Sequence, residues 1–502
     1  MKLQLPRSAR NWISLTGAII ALISFSMIVF LLVISAIWRE THVYLGIVTY
    51  ILLPAVMMLG LVLIPVGMWV QVRRNRRRER EALPPLPILD LNNPRHRNAF
   101  VVFAVGTAVF LFFSAVGSYE AYHYTESVEF CGQLCHEVMK PDFTAYQHYP
   151  HARVACVECH VGAGANWYLR SKLYGLRRVY LMVTGKYARP IPAPIENLRP
   201  ARETCEQCHW PERYYAQKFR LQDHFKFDEE NTPWKIGLLM RIGSPEAHKR
   251  LEEGTHWHNN PAVQIDYIAR DAKREDIPYV RYTNLNTGET VIYQDEEEPL
   301  DPSEIRPERM RRMDCMDCHN RSSHDFRTPI AFVNEALAAG LIPRQLPEIK
   351  SLAVGLCEDK YPTEDSARTA IEKRIREFYQ EEYPEIVETH PEWVDQAVEG
   401  MQKVYSRNIF PEMNADWKAY PNHLGHLDSN GCFRCHSGRH VSEDGERSIS
   451  KDCNLCHYIV LQGPADELSY AAPGRPLEFR HPDDEEDWKD GLCTDCHEGV
   501  EP

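Results

Sequence analysis

Spare cysteine is nearly absent from this chain: of fifteen, all but Cys357 belong to pairs followed at once by histidine. Disulfides and zinc-binding CxxC pairs do not require a histidine at that place each time, which sets both readings aside. Net positive charge is lacking as well, since 57 basic residues face 70 acidic ones for a net −13. That excess argues against nucleic acid as a partner. Three long runs, 12–38, 44–70 and 99–118, contain neither a charged residue nor a histidine. An intramembrane b-type haem, which needs a histidine pair, is thereby excluded from them.

What is present begins with the cysteine pairs. Cys156/Cys159/His160, Cys205/Cys208/His209, Cys315/Cys318/His319, Cys432/Cys435/His436, Cys453/Cys456/His457 and Cys493/Cys496/His497 are strict C-x-x-C-H runs. Cys131/Cys135/His136 is a seventh, with three residues between its cysteines. Two thiols one turn apart can form thioethers to both vinyl groups of a porphyrin, and the next residue ligates its iron. By chance such a run is expected roughly 0.02 times in a chain this long, so the repetition predicts seven covalent haems c.

The apolar runs each approach or exceed the ~20 residues needed to cross the hydrocarbon core. Aromatic residues stand at their ends: Trp12, Trp38, Tyr44, Trp69, Tyr119 and Tyr122. The first run is too long for a signal peptide, and a second follows after the short connector RETHV. The tail before the first run and the loop at 71–98, with eight arginines, are basic, which places both in the cytoplasm. Every motif then lies on the outer, oxidising side of the bacterial inner membrane, in the periplasm. The basic tail holds +3 and the loop +5, so residues 99–502 carry −21 against the overall −13. Such a body suits redox partners with positive patches and predicts salt-sensitive encounters.

CGQLCHEVMKP, then HARVACVECHVGAGANWYLRSK, then ETCEQCHWPE resemble the amino-terminal domain of the NapC/NirT family of membrane-anchored quinol dehydrogenases. The resemblance implies a four-haem head that oxidises menaquinol or ubiquinol and hands electrons to periplasmic partners. It also implies that Met139 lies against haem 1 and that Lys172, twelve residues after His160, ligates haem 2. His136 is the direct reading for haem 1 and Met139 the alternative from the family. A neutral lysine is needed for ligation, so its pKa has to be depressed. Where the family carries a carboxylate beyond that lysine, this chain has Arg177, Arg178, Val179 and Tyr180, and Glu137, His123 and Asp142 are the substitutes. The extra spans, the long insert and three further motifs resemble larger inner-membrane multihaem cytochromes of metal-reducing bacteria.

The expected fold is mainly α and membrane-anchored, with a multihaem domain poor in regular structure and a small β-hairpin insert. Residues 1–120 form the anchor. Residues 121–330 form the four-haem domain with an insert at 210–314, and 331–502 hold a helical stretch and three haems. PYVRYT and TVIYQ flank turn residues and read as the hairpin. Between His160 and Cys205 an amphipathic basic helix, followed by a proline-rich strap, either lies on the membrane lipid or packs over haems. Distal ligands are expected among His151, His426, His481, His440, His324, His256 and His258. The last two, at i and i+2, cannot share a helical face and are expected to serve different haems if both ligate.

The function expected is oxidation of menaquinol at haem 1, outside the membrane. Electrons then pass along seven haems to a periplasmic cytochrome or reductase. A passive electron-transfer subunit is the alternative. A terminal reductase fits less well, because no motif has the altered proximal ligand, such as CxxCK, often found in such enzymes.

Overall fold

In the computed structural model three helices correspond to the apolar runs. The structure describes residues 11–37, 48–78, 90–161, 165–194, 200–210, 216–244, 251–483, 486–489, 491–497 and 499–500. The basic tail, the RETHV connector and residues 79–89 of the arginine loop lie outside them. Helix α1 is Trp12–Ile37, α2 is Leu53–Arg78 and α3 is Pro94–Glu126. Within them Trp12–Leu31, Leu53–Arg74 and Ala104–Glu126 are long and apolar enough to cross a membrane. The 26 residues of α1 extend about 39 Å against a hydrocarbon core of ~30 Å.

Small residues let α1 and α2 approach closely. A Cβ on Gly17 would meet the Gly60 carbonyl at 2.6 Å, and Ser14 donates its hydroxyl to the Ile64 carbonyl at 2.9 Å. This is how spans associate where lipid offers no hydrophobic drive. Phe25 meets Phe113 edge-on at 5.3 Å, which brings in α3. Helix α3 runs beyond its apolar run as far as Glu126. The next helix, α4 (Val128–Gln133), is capped by Ser127 and carries Cys131, the first cysteine of the first motif. Helices α5 (His136–Gln147) and α6 (Ala165–Val183) follow in the chain.

The chain divides into two compact units, residues 1–137 with 155–157, and 138–154 with 158–502. In the second, the haem-free stretch supplies a conventional apolar core. Helices α7 (Pro329–Ala338), α8 (Ile349–Gly355), α9 (Glu364–Glu382) and α10 (Pro391–Asn408) enclose Ile371, Ile375, Tyr379 and Met401, all fully buried. Thr363 caps α9 by accepting from the Ser366 amide, while Ser366 accepts from the Thr363 amide. Cys357 is a buried member of this core, and burial pushes its thiol well up, as befits a small apolar residue.

The insert holds far more β structure than one hairpin. β1 (Gln217–Phe225) and β2 (Pro233–Arg241) pair antiparallel, and β2 continues onto β8 (His457–Pro464) and β9 (Ser469–Tyr470). A second sheet has the order β6-β3-β4-β5-β7, respectively Arg311–Arg312, Val263–Ile268, Tyr279–Asn284, Thr290–Asp295 and His440–Ser442. β4 and β5 form the expected hairpin. The insert therefore shares two sheets with the segments that follow the fifth and sixth motifs. A run such as TVIYQD carries too little alternation to disclose that its other edge takes a strand from beyond the fifth motif.

One backbone approach in the helical core is testable. Gly400 of α10 lies so near the Leu341 carbonyl that no Cβ fits between them. Gly400→Ala is expected to destabilise the second unit by about 1–3 kcal/mol. Denaturant unfolding of the full chain in detergent, followed by far-ultraviolet circular dichroism, measures it.

Candidate haem-binding centre

The described motifs place their cysteines on short turns. Cys315–Cys318 is one α-turn, capped by Asp314, whose side chain accepts from the Met316 amide at 2.8 Å. Gly431–Arg434, Cys453–Leu455 and Cys493–Asp495 are 3-10 turns, and Cys156–His160 is a short α-helical one. All fifteen cysteines are free of disulfides.

The fold does not shelter every attachment sulfur. Cys159, Cys208, Cys453 and Cys496 are exposed, whereas the other ten motif cysteines are half-buried. At these four positions the polypeptide alone builds no wall around the sulfur. The reason lies in the bond to be made. A thioether holds its sulfur at the porphyrin rim, so a thiol that is to react has to stand clear of the chain's own packing. In the second, third and seventh motifs it is the second cysteine, next to the proximal histidine, that stands clear.

Six of the seven motif histidines face a second imidazole. Ring centroids are 6.2 Å apart for His160 and His324, 5.9 Å for His209 and His151, and 6.2 Å for His319 and His256. They are 5.9 Å apart for His436 and His258, 6.1 Å for His457 and His426, and 6.0 Å for His497 and His481. An iron ~2 Å from each coordinating nitrogen, with each nitrogen ~1 Å from its ring centroid, requires centroids about 6 Å apart. The residues present fit a six-coordinate haem at each of these places.

Hydrogen bonds orient the rings for that task. Nδ1 of His151 donates to the Ser322 carbonyl at 2.6 Å, that of His324 to Asp142 at 2.9 Å, and that of His256 to Ile242 at 3.1 Å. His258 does the same to Thr255 at 3.0 Å and His436 to Ser450 at 3.0 Å. A ring whose Nδ1 is held in this way presents Nε2 to a metal. Burial pushes His160, His258, His319 and His426 down to about 4, so these rings stay neutral at physiological pH.

Two residues expected as ligands have surroundings that set them apart from the facing pairs. The ring facing His160 is that of His324, where the resemblance implies Lys172. A lysine has to lose both a proton and its hydration to ligate, and an imidazole already neutral at pH 7 does not. His440, expected as a ligand from its place after the fifth motif, is held by β7 at 1% exposure with Nε2 on the Ile277 carbonyl at 2.7 Å. Its Nε2 is thereby committed to the fold, while its Nδ1 is buried without a hydrogen-bond partner.

Sequence reasoning does not single out His423. It is 3% exposed, with Nδ1 on the Asp317 carbonyl at 3.1 Å and Nε2 buried without a hydrogen-bond partner. One buried histidine in the loop YPNHLGH leaves no periodic signal. At the first motif no imidazole among the described residues faces His136. Met139 lies three residues further along α5, and Asp142, whose carboxyl burial pushes up, six. Glu137 is exposed on the same helix, and His123 is exposed near the end of α3 against Tyr119 at 4.4 Å. Lys172 is half-buried on α6.

Neighbouring sites touch. The thiols of Cys131 and Cys156 lie within hydrogen-bond reach, as do those of Cys205 and Cys315. Cys493 Sγ is 3.7 Å from Nδ1 of His426, which joins the sixth and seventh sites. His319 and His324, five residues apart, belong to the fourth and second sites, and one 3-10 turn carries His256 and His258 to the fourth and fifth.

Residues 93–191 match the model of the NapC/NirT cytochrome c family, N-terminal region. The chain is 43% identical over 491 residues to the cytochrome c-type protein ImcH of Geobacter sulfurreducens, covering 97% of this chain and 95% of that one. It is 30% identical over 115 residues to the cytochrome c-type protein NrfH of Wolinella succinogenes, covering 22% of this chain and 63% of that one. No solved structure gives a significant match. Spans, cysteine turns, facing imidazoles and a full-length relative agree, and the chain belongs to the NapC/NirT family of membrane-anchored multihaem c-type cytochromes.

Proposed function

We propose that this chain oxidises a membrane quinol, menaquinol by the family resemblance, outside the inner membrane and conveys the electrons through seven covalent haems to periplasmic acceptors. The observation that carries the reading is the set of six motif histidines that each face a second imidazole, in a chain that also bears three apolar spans. Haem c supplies one-electron carriage at each place.

The chain's own residues do the rest. The fourteen motif cysteines, exposed Cys159, Cys208, Cys453 and Cys496 among them, fix each group covalently. His136, His160, His209, His319, His436, His457 and His497 are the proximal ligands. His324, His151, His256, His258, His426 and His481 are the distal ligands of the second, third, fourth, fifth, sixth and seventh sites. The basic tail and loop hold the anchor with the motifs outside. A quinol gives up two protons with its two electrons, and the apolar runs 12–38, 44–70 and 99–118 offer no charged group or histidine to take them. Glu137 and His123, both exposed, are placed on the first unit to accept protons and release them outward. Met139 is the second ligand that the resemblance offers to the first site. The body's −21 favours acceptors with a cationic face, so transfer to them slows as salt rises.

The test is direct. The purified full chain in detergent, mixed with a menaquinol analogue, is expected to show haem reduction. Failure to reduce, in protein that a chemical reductant still reduces fully, overturns the reading. Glu137→Gln combined with His123→Ala is expected to slow the quinol-driven phase by ~10²-fold and leave chemical reduction unchanged.

Ligation has its own check. Electron paramagnetic resonance is expected to resolve six bis-histidine low-spin haems and one of different ligation. His324→Ala is expected to convert one of the six to a high-spin signal, whereas His440→Ala and Lys172→Ala convert none.

A further inference from the structure

The fourth and fifth sites are laced together more tightly than any other pair among the described residues. On the distal side a single turn, Thr255–Asn259, carries both His256, facing His319, and His258, facing His436. Trp257 between them stacks on Tyr282 at 5.8 Å, which ties the turn to the five-stranded sheet. On the proximal side the tie is one guanidinium. Arg434 lies between Cys432 and Cys435 and donates to the carbonyl of Asp317, between Cys315 and Cys318, at 2.7 Å. It also donates to the carbonyls of Gly431 and Arg274, each at 2.7 Å.

Among the side chains of the described residues the charges at this junction do not cancel. Asp317, 1% exposed, accepts from Arg274 and Arg311, each at 2.7 Å, and from the Tyr267 hydroxyl at 2.6 Å. Asp314 adds a second carboxylate 3.4 Å from Arg311. Two guanidiniums thus meet two carboxylates, and Arg434, 8% exposed, is left over. Among the ion pairs of the described residues it has none, and Glu275 senses its charge without pairing. A cation held on carbonyls in a low-dielectric interior favours the less positive state of any group beside it. For a haem iron that is the ferrous state, so its reduction potential rises.

We propose that Arg434 is a positioning residue that raises the potentials of the fourth and fifth haems above those of their neighbours, making the junction a store for two electrons. Each site takes one electron, ferric to ferrous, and no proton moves. The store matches the two electrons that one quinol delivers, and this last clause rests on the quinol reading above. A junction holding both empties the quinol site for its next turnover without waiting for an acceptor at the far end.

The experiment is a mediated potentiometric titration of the full chain in detergent, followed optically, which needs no quinol. Arg434→Gln is expected to lower two of the seven one-electron steps, each by roughly a tenfold loss of electron affinity, ~59 mV. Arg434→Lys, which keeps the charge, is expected to restore most of that shift, and Asp317→Asn to move the same steps upward. Should Arg434→Gln fail to yield holoprotein, Arg274→Gln, at the more open edge of the cluster, has to lower the same two steps. The proposal is overturned if neither glutamine variant moves any step while the low-spin spectrum is intact, or if lysine behaves as glutamine does. If the titration shows the pattern but a menaquinol analogue does not reduce the wild-type chain, the quinol clause falls and the role of Arg434 stands.

Discussion

A gap of about 6 Å between two imidazoles is the constraint on which the second unit depends. Each gap joins parts of the chain that are otherwise remote: His160 to His324, His256 to His319, His258 to His436. An iron held in such a gap would cross-link the loops, and the porphyrin around it would be the apolar mass those loops enclose. Much of the haem-bearing part can therefore be loop and short turn and still hold its shape, because ligand bonds replace the side-chain packing of an ordinary core. Conventional burial is concentrated where haems are missing, in α7 to α10, whose interior residues Ile371, Ile375 and Tyr379 are wholly shielded. The two regions are alternative solutions to one problem, that of covering polar backbone with apolar material.

This division explains what could be read in advance. Covalent attachment is local chemistry, so cysteine spacing announces it, and apolar run length announces the spans in the same way. Spacing is silent on exposure, however: Cys156 and Cys159 belong to one motif, yet the first is half-buried and the second open. The i, i+2 spacing in GTHWHNN is a local signal, and the fold turns His256 toward His319 and His258 toward His436. Distal partners are tertiary facts. Nothing in the neighbourhood of His324 distinguishes it from His440, yet the fold turns one toward His160 and spends the other's Nε2 on Ile277. The sheets were hidden for a related reason. β7 and β8 are 3 and 8 residues long and pair with strands of the insert, so their signal is their partner, not their composition.

Electrostatics runs in opposite directions at the two scales of the molecule. The surface excess of carboxylates acts through solvent, is screened within about a Debye length of ~8 Å at physiological salt, and governs encounter. Inside, a single buried guanidinium such as Arg434 is scarcely screened and acts strongly on whatever group lies beside it. An acidic protein can thus contain electropositive irons without contradiction. The net charge says nothing about the potential at any one of them.

The placing of ligands also decides which rearrangements the chain tolerates. Were the distal histidines of the fourth and fifth sites on separate loops, each could drift with its own loop, and the spacing between the sites would follow the larger motion. Because Thr255–Asn259 is one turn, held by Trp257 on Tyr282 and by the His256 and His258 bonds to Ile242 and Thr255, any displacement moves both ligands together. Electron transfer depends steeply on separation, and a shared turn keeps that separation constant while the surroundings fluctuate. The sheet that carries Tyr282 is completed by β7, four residues after His436, so the distal turn and the proximal loop of the fifth site are referred to the same frame. The insert between the third and fourth motifs thus holds the rings that face His319 and His436 on one frame, and its β structure is the stiff element that mainly helical surroundings would not supply.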